Sequence, residues 1–134
     1  MKKVIRFPSV KSNINFAEKI ADEISDKANI STELYGNILV ALMETITNAV
    51  IHGNKLNPNK FVEVTYSNDY KGIKITVADE GNGFDFNNLP DPTASDRIEE
   101  PNGRGVFLIK KLADMVNFEL NGRKVILFFK FVNS

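Results

Sequence analysis

The chain has 134 residues, with 17 Lys plus Arg against 17 Asp plus Glu, and no cysteine. That length suits one domain with a proper core, spanning 1–134; the charge balance gives no pull toward nucleic acid or an acidic membrane surface; the missing thiols exclude disulfides and cysteine metal sites. The longest apolar run, Ile38 to Met43, is far short of a membrane span, and Met1-Lys2-Lys3 leads into no long apolar stretch, so neither an anchor nor a secretory signal is expected.

Lys3 to Phe7 reads as an edge strand ending at Pro8. Asn13 to Lys27 reads as a helix whose apolar face is Ile14, Ala17, Ile20, Ala21 and Ile24. Ser31 is a natural N-cap for a second helix and Gly53 a natural stop. A helix turns about 100° per residue, so Asn37, Ala41, Glu44, Asn48 and His52 share one stripe of that second helix. Its other positions include Ile38, Leu39, Leu42, Met43, Ile46, Ala49, Val50 and Ile51. A helix apolar on most sides is buried, and a buried Glu needs compensation. The aligned acid and amide fit a wet functional cleft or a structural polar network. His52 fits a hydrogen-bonded structural role better than a metal or phospho-acceptor role.

Phe61 to Asn68 and Lys71 to Ala78 form a predicted hairpin. The second strand delivers Asp79, followed by a turn with Gly81 and Gly83. Such glycines admit positive φ or close approach of a ligand, and an Asp at a strand end can accept hydrogen bonds from an amino group. Taken alone, this is equally an Asp-Gly turn. Asp85 to Asn102 is polar, holds three prolines and lacks periodicity, which predicts a long loop acting as a mobile lid. Gly103-Arg104-Gly105 opens a third helix, Arg104 to Met115. A Gly-rich helix entry offers free N–H groups to a phosphate, and Arg104 adds a donor fork. Lys110 and Lys111 read as a solvated face. Val116 to Leu120 and Arg123 to Val132 read as a closing hairpin about Asn121-Gly122, with Phe128, Phe129 and Phe131 as core and sheet residues. The sum is α+β: a two-layer α/β sandwich, one sheet with three helices on one face.

In this order, Glu44-x-x-x-Asn48, Asp79-x-Gly81-x-Gly83-Phe84 and Gly103-x-Gly105 resemble the three boxes of the GHKL (Bergerat-type) ATPases. In detail, Asn48-Ala-Val-Ile-His-Gly53 and Gly103-Arg-Gly-Val-Phe-Leu-Ile109 are similar to the anti-sigma-factor serine/threonine kinases, over essentially the whole chain. The resemblance implies a mixed, mostly antiparallel sheet, with ATP between the helix layer and the long loop. It implies that Asn48 gives its side-chain oxygen to Mg²⁺ and that Asp79 binds the adenine amino group, with Gly81 and Gly83 allowing close approach. Gly103, Arg104 and Gly105 would hold the phosphates, and Glu44 would be the general base for a serine or threonine hydroxyl. It further implies a cytoplasmic homodimer whose partners are an anti-anti-sigma antagonist and a sigma factor, with no nucleic acid and no membrane. Two departures stand out. Gly122-Arg123-Lys124 replaces the Gly-Thr-Thr turn common in that family, and Val106 stands where leucine is common. Two functions remain: a protein serine kinase that also sequesters a sigma factor, or a nucleotide-dependent binding module with little or no transfer activity. Glu44 favours the first, since a pure binder needs no base.

Overall fold

The computed structural model describes residues 2–81 and 101–131. The predicted lid and Gly83 therefore lie outside the described residues, apart from the loop's last two positions. Five strands form one sheet: β1 (Lys2–Pro8), β2 (Phe61–Asn68), β3 (Gly72–Ala78), β4 (Met115–Glu119) and β5 (Lys124–Lys130). Their spatial order is β1-β2-β3-β5-β4. Every pairing among the described strands is antiparallel, in keeping with the mostly antiparallel sheet that the resemblance implied. The α+β class holds, with three α-helices: α1 (Phe16–Ala28), α2 (Thr32–Thr47) and α3 (Pro101–Leu112).

Alternation along the strands decides which face is covered. Register places Ile5, Val64, Val77, Val125 and Phe118 in one row, and Tyr66, Ile75, Leu127 and Val116 in the next. Most of these are buried beneath the helices with Phe7, Val62, Ile73 and Phe129. Each large side chain so removed from water contributes about 1.5–3 kcal/mol. Residues one step along face the other way, where Arg6 pairs with Glu63 and Lys124 with Glu119, a charged row suited to solvent.

Predicted and observed helices differ mainly at their ends. A 3₁₀ turn, Lys11–Asn15, precedes α1, whose Ala17, Ile20, Ala21 and Ile24 are fully buried as expected. Ser31 caps α2 by accepting from the Leu34 N–H at 3.1 Å. α3 begins at Pro101, so Gly103, Arg104 and Gly105 belong to its first turns rather than to a loop ahead of it. Proline suits that position because first-turn N–H groups have no helical acceptor. The helix ends at Leu112, and Met115 already belongs to β4.

The hairpin after β4 also differs. Pairing stops at Glu119 with Lys124, leaving four residues between the strands instead of a two-residue turn. Leu120, Asn121 and Gly122 are all left-handed, with φ of 52°, 58° and 89°. Arg123 carries the reason: its carbonyl accepts the Asp79 N–H at 2.8 Å, so it extends the β3 pairing rather than the β4 pairing.

α2 and the turn that follows it, Thr32–Gly53, make 22 residues long and apolar enough by composition to cross a membrane, which the short apolar run did not suggest. The segment packs against α1, α3 and β5, as the core helix of the domain.

Candidate functional site

The stripe containing Glu44 and Asn48 changes character at its end. α-Helical bonding stops at Thr47, and Asn48–Gly53 forms a π turn. Its signature is the Asn54 N–H donating to the Ala49 carbonyl, five residues back, at 2.8 Å. Such wide turns concentrate at functional sites because they re-aim side chains. Here the turn carries His52 off the α-helical stripe on which the sequence had placed it. His52 is half-buried, and burial pushes its pKa down, which favours the uncharged ring.

Glu44 and Asn48 meet α3 at Gly105. A methyl group built on Gly105 would lie 3.1 Å from Glu44 Oε2 and 3.2 Å from Asn48 Nδ2. Residues that the sequence proposed from two separate motifs therefore converge near the N-terminal end of α3. Among the described residues no hydrogen bond is made by the Glu44 carboxylate or the Asn48 side-chain amide. No group of three His, Cys, Asp or Glu among the described residues could cage a metal. A lone amide oxygen nonetheless fits Mg²⁺, which takes few protein ligands and keeps several waters.

Asp79 lies at the far end of the π turn. Its carboxylate accepts the Gly81 N–H at 2.8 Å. It touches Gly53 so closely that a methyl group there would sit 2.6 Å from the carboxylate. Burial pushes the Asp79 pKa up; the Gly81 N–H and the charges of Arg123 and Lys60 partly oppose this. Among the described residues the Gly81 N–H is the only hydrogen-bond donor to that carboxylate. A methyl group on Gly81 would meet the Gly53 carbonyl oxygen at 2.0 Å, so these two glycines pack backbone against backbone. Gly81 is thus required by the fold's own packing.

The sequence reading missed Asn54. It is only 2% exposed and bonds three separate segments. Lys110 and Lys111 are exposed as expected and lie over the rings of Phe118 and Phe107.

The carboxylate at the strand end and the acid–amide pair under α3 are thus joined by one short turn of backbone. A family model described as the histidine kinase-like ATPase domain matches residues 7–129. The serine-protein kinase RsbW of Oceanobacillus iheyensis is 26% identical, over 96% of this chain and 85% of that protein. The anti-sigma F factor of Heyndrickxia coagulans is 31% identical, over 86% of this chain and 80% of that protein. The RsbW of Bacillus subtilis is 28% identical, over 73% and 65%. With a match that covers the three helices, four of the five strands almost entirely and both ends of the site, the chain belongs to the histidine kinase-like ATPase domain family.

Proposed function

We propose that this protein is an ATP-dependent serine/threonine kinase and anti-sigma factor, which phosphorylates a small antagonist protein and sequesters a sigma factor. The convergence of Glu44, Asn48 and Gly105 at the start of α3 carries this reading. The names of the relatives, serine-protein kinase and anti-sigma F factor, support it. A cytoplasmic homodimer belongs to the same reading.

The residues divide the work. Asp79 accepts from the adenine amino group, while Gly81 and Gly83 let the base approach. Asn48 holds Mg²⁺, which neutralises phosphate charge when bound. Gly103, Arg104 and Gly105 hold the phosphates at the helix N-terminus. Glu44 takes the proton of the incoming serine or threonine hydroxyl. That oxygen bonds to the γ-phosphorus as the bond to the β-phosphate oxygen breaks, and ADP leaves. Positioning and charge neutralisation supply most of the acceleration, and the base adds roughly 10²–10⁴-fold.

Two measurements test this. Saturating Mg-ATP should raise the unfolding midpoint; at 100 times the dissociation constant the gain is about 2.7 kcal/mol. Asp79→Asn should remove the shift. No shift at millimolar nucleotide ends the ATPase reading. Radiolabel transfer from ATP to the antagonist then separates kinase from binding module. Glu44→Gln should keep ATP binding and lower transfer about 10²-fold or more. Undiminished transfer would make Glu44 a structural residue, and no transfer by the unaltered protein would leave a nucleotide-dependent binding module.

A further inference from the structure

Asn54 spends its whole hydrogen-bonding capacity inside the protein. Its backbone N–H closes the π turn on Ala49 at 2.8 Å, and its carbonyl accepts the Asn57 N–H at 3.1 Å. Its side-chain Nδ2 donates to Ser9 Oγ at 2.7 Å and to the Phe61 carbonyl at 3.0 Å. Its Oδ1 accepts the Glu80 N–H at 2.8 Å. Ser9 is fully buried and passes its own hydroxyl proton to the Lys60 carbonyl at 2.8 Å. The Glu80 carboxylate in turn accepts the Phe61 N–H. One amide therefore ties together the end of β1, the start of β2, the π turn and the segment leaving β3.

Both ends of the candidate site hang on this knot. Asn48 begins the π turn that Asn54 closes. Asp79 immediately precedes Glu80, whose N–H Asn54 holds, and its carboxylate rests on Gly53. Directly after Asn54, Lys55 and Leu56 both adopt left-handed φ, 54° and 58°, which non-glycine residues seldom do. Such strain persists only where surroundings over-determine it. The Leu56 N–H bond to the Val50 carbonyl at 2.8 Å and the Asn54 contacts supply that determination. Only an amide fits here: a carboxylate would lose two donors and face the Phe61 carbonyl, and an alkyl group would leave the Glu80 N–H and Phe61 carbonyl unpaired.

We propose that Asn54 is a positioning residue: it fixes Asp79 relative to the turn carrying Asn48, so that discrimination of the nucleotide base depends on it. This rests on the reading of Asp79 as the acceptor for the adenine amino group. Asn54 touches no ligand itself and acts through Glu80 and Gly53.

The test compares ATP with inosine triphosphate, which has a carbonyl in place of the amino group, by calorimetric titration with Mg²⁺. The unaltered protein should prefer ATP. Asn54→Asp should weaken ATP about tenfold, equivalent to 1.4 kcal/mol, and change inosine triphosphate less than about twofold. Ser9→Ala removes one acceptor of the Asn54 amide and should narrow the preference in the same sense by a smaller factor. If Asn54→Asp does not fold, Ser9→Ala decides by the same criterion. A purely structural role would weaken both nucleotides equally, and equal losses, or an unchanged preference in both variants, overturn the proposal alone. An unaltered protein that does not distinguish the two nucleotides overturns the Asp79 role and this inference together, while one that binds neither removes the ATPase reading.

Discussion

Gly81 and Gly105, at the two ends of the proposed site, both leave no room for a relaxed side chain, but for different reasons. At Gly81 the obstacle to a methyl group is the Gly53 backbone, at 2.0 Å and 2.5 Å from its carbonyl oxygen and carbon. Backbone set in a hydrogen-bonded turn cannot move aside cheaply. At Gly105 the nearest atoms are the tips of Glu44 and Asn48, at 3.1 Å and 3.2 Å, and side-chain tips can shift by tenths of an ångström. The base end of the site is thus part of the fold's own packing, whereas the phosphate end is a meeting of side chains across two helices. A motif glycine can be a structural requirement at one end of a site and a reserved space at the other.

The largest effect should come from breaking the rigid end. Gly81→Ala forces Gly53 away from Asp79 and should cost about 3 kcal/mol of stability in urea unfolding, with loss of the Mg-ATP thermal shift. Gly105→Ala should do the reverse. Alanine improves the helix by up to about 1 kcal/mol, which offsets crowding, so stability should change by less than about 1 kcal/mol. Phosphoryl transfer should nevertheless fall at least about tenfold, because the methyl group displaces the Glu44 carboxylate and the Asn48 amide. If Gly105→Ala unfolds the protein instead, the two ends are not built differently.

The smallest effect concerns charge at the rigid end. Burial raises the Asp79 pKa in the folded protein. Below the ordinary carboxylate range the group is neutral whether folded or not, and it contributes nothing to pH dependence. As pH rises from that range through the raised folded value, the unfolded chain ionises first, and stability falls. Asp79→Asn removes this titration, so its stability relative to the unaltered protein should improve across that window. Thermal melts from pH 3 to pH 8 test it, and parallel curves would mean that Asp79 is well solvated (pH values chosen to bracket the usual carboxylate range).

The sequence was legible where chemistry follows periodicity. Alternation in β2, β3 and β5 and the apolar spacing of α1 determined the layers, and helical spacing brought Glu44 and Asn48 onto one stripe. Convergence of that pair with Gly105 had only a family resemblance behind it, since no local pattern specifies how α3 docks on α2. The π turn could not be read, because its wide geometry is set by bonds from Asn54 and Leu56 rather than by the residues within it. Asn121-Gly122 looked like a two-residue hairpin, yet Arg123 is drawn onto Asp79, a contact 44 residues distant that no local rule contains. Asn54 escaped notice for the same reason: an amide in a turn is common, and its partners at Ser9, Phe61 and Glu80 are known only once the chain has folded.

The contacts that build the base end join Ser9 to Asn54, Gly53 to Gly81, and Asp79 to Arg123. The three pairs overlap along the chain, so no fragment contains them all until residue 123 has been synthesised. A nascent chain on the ribosome would carry Glu44 and Asn48 long before it could complete the turn that holds Asp79.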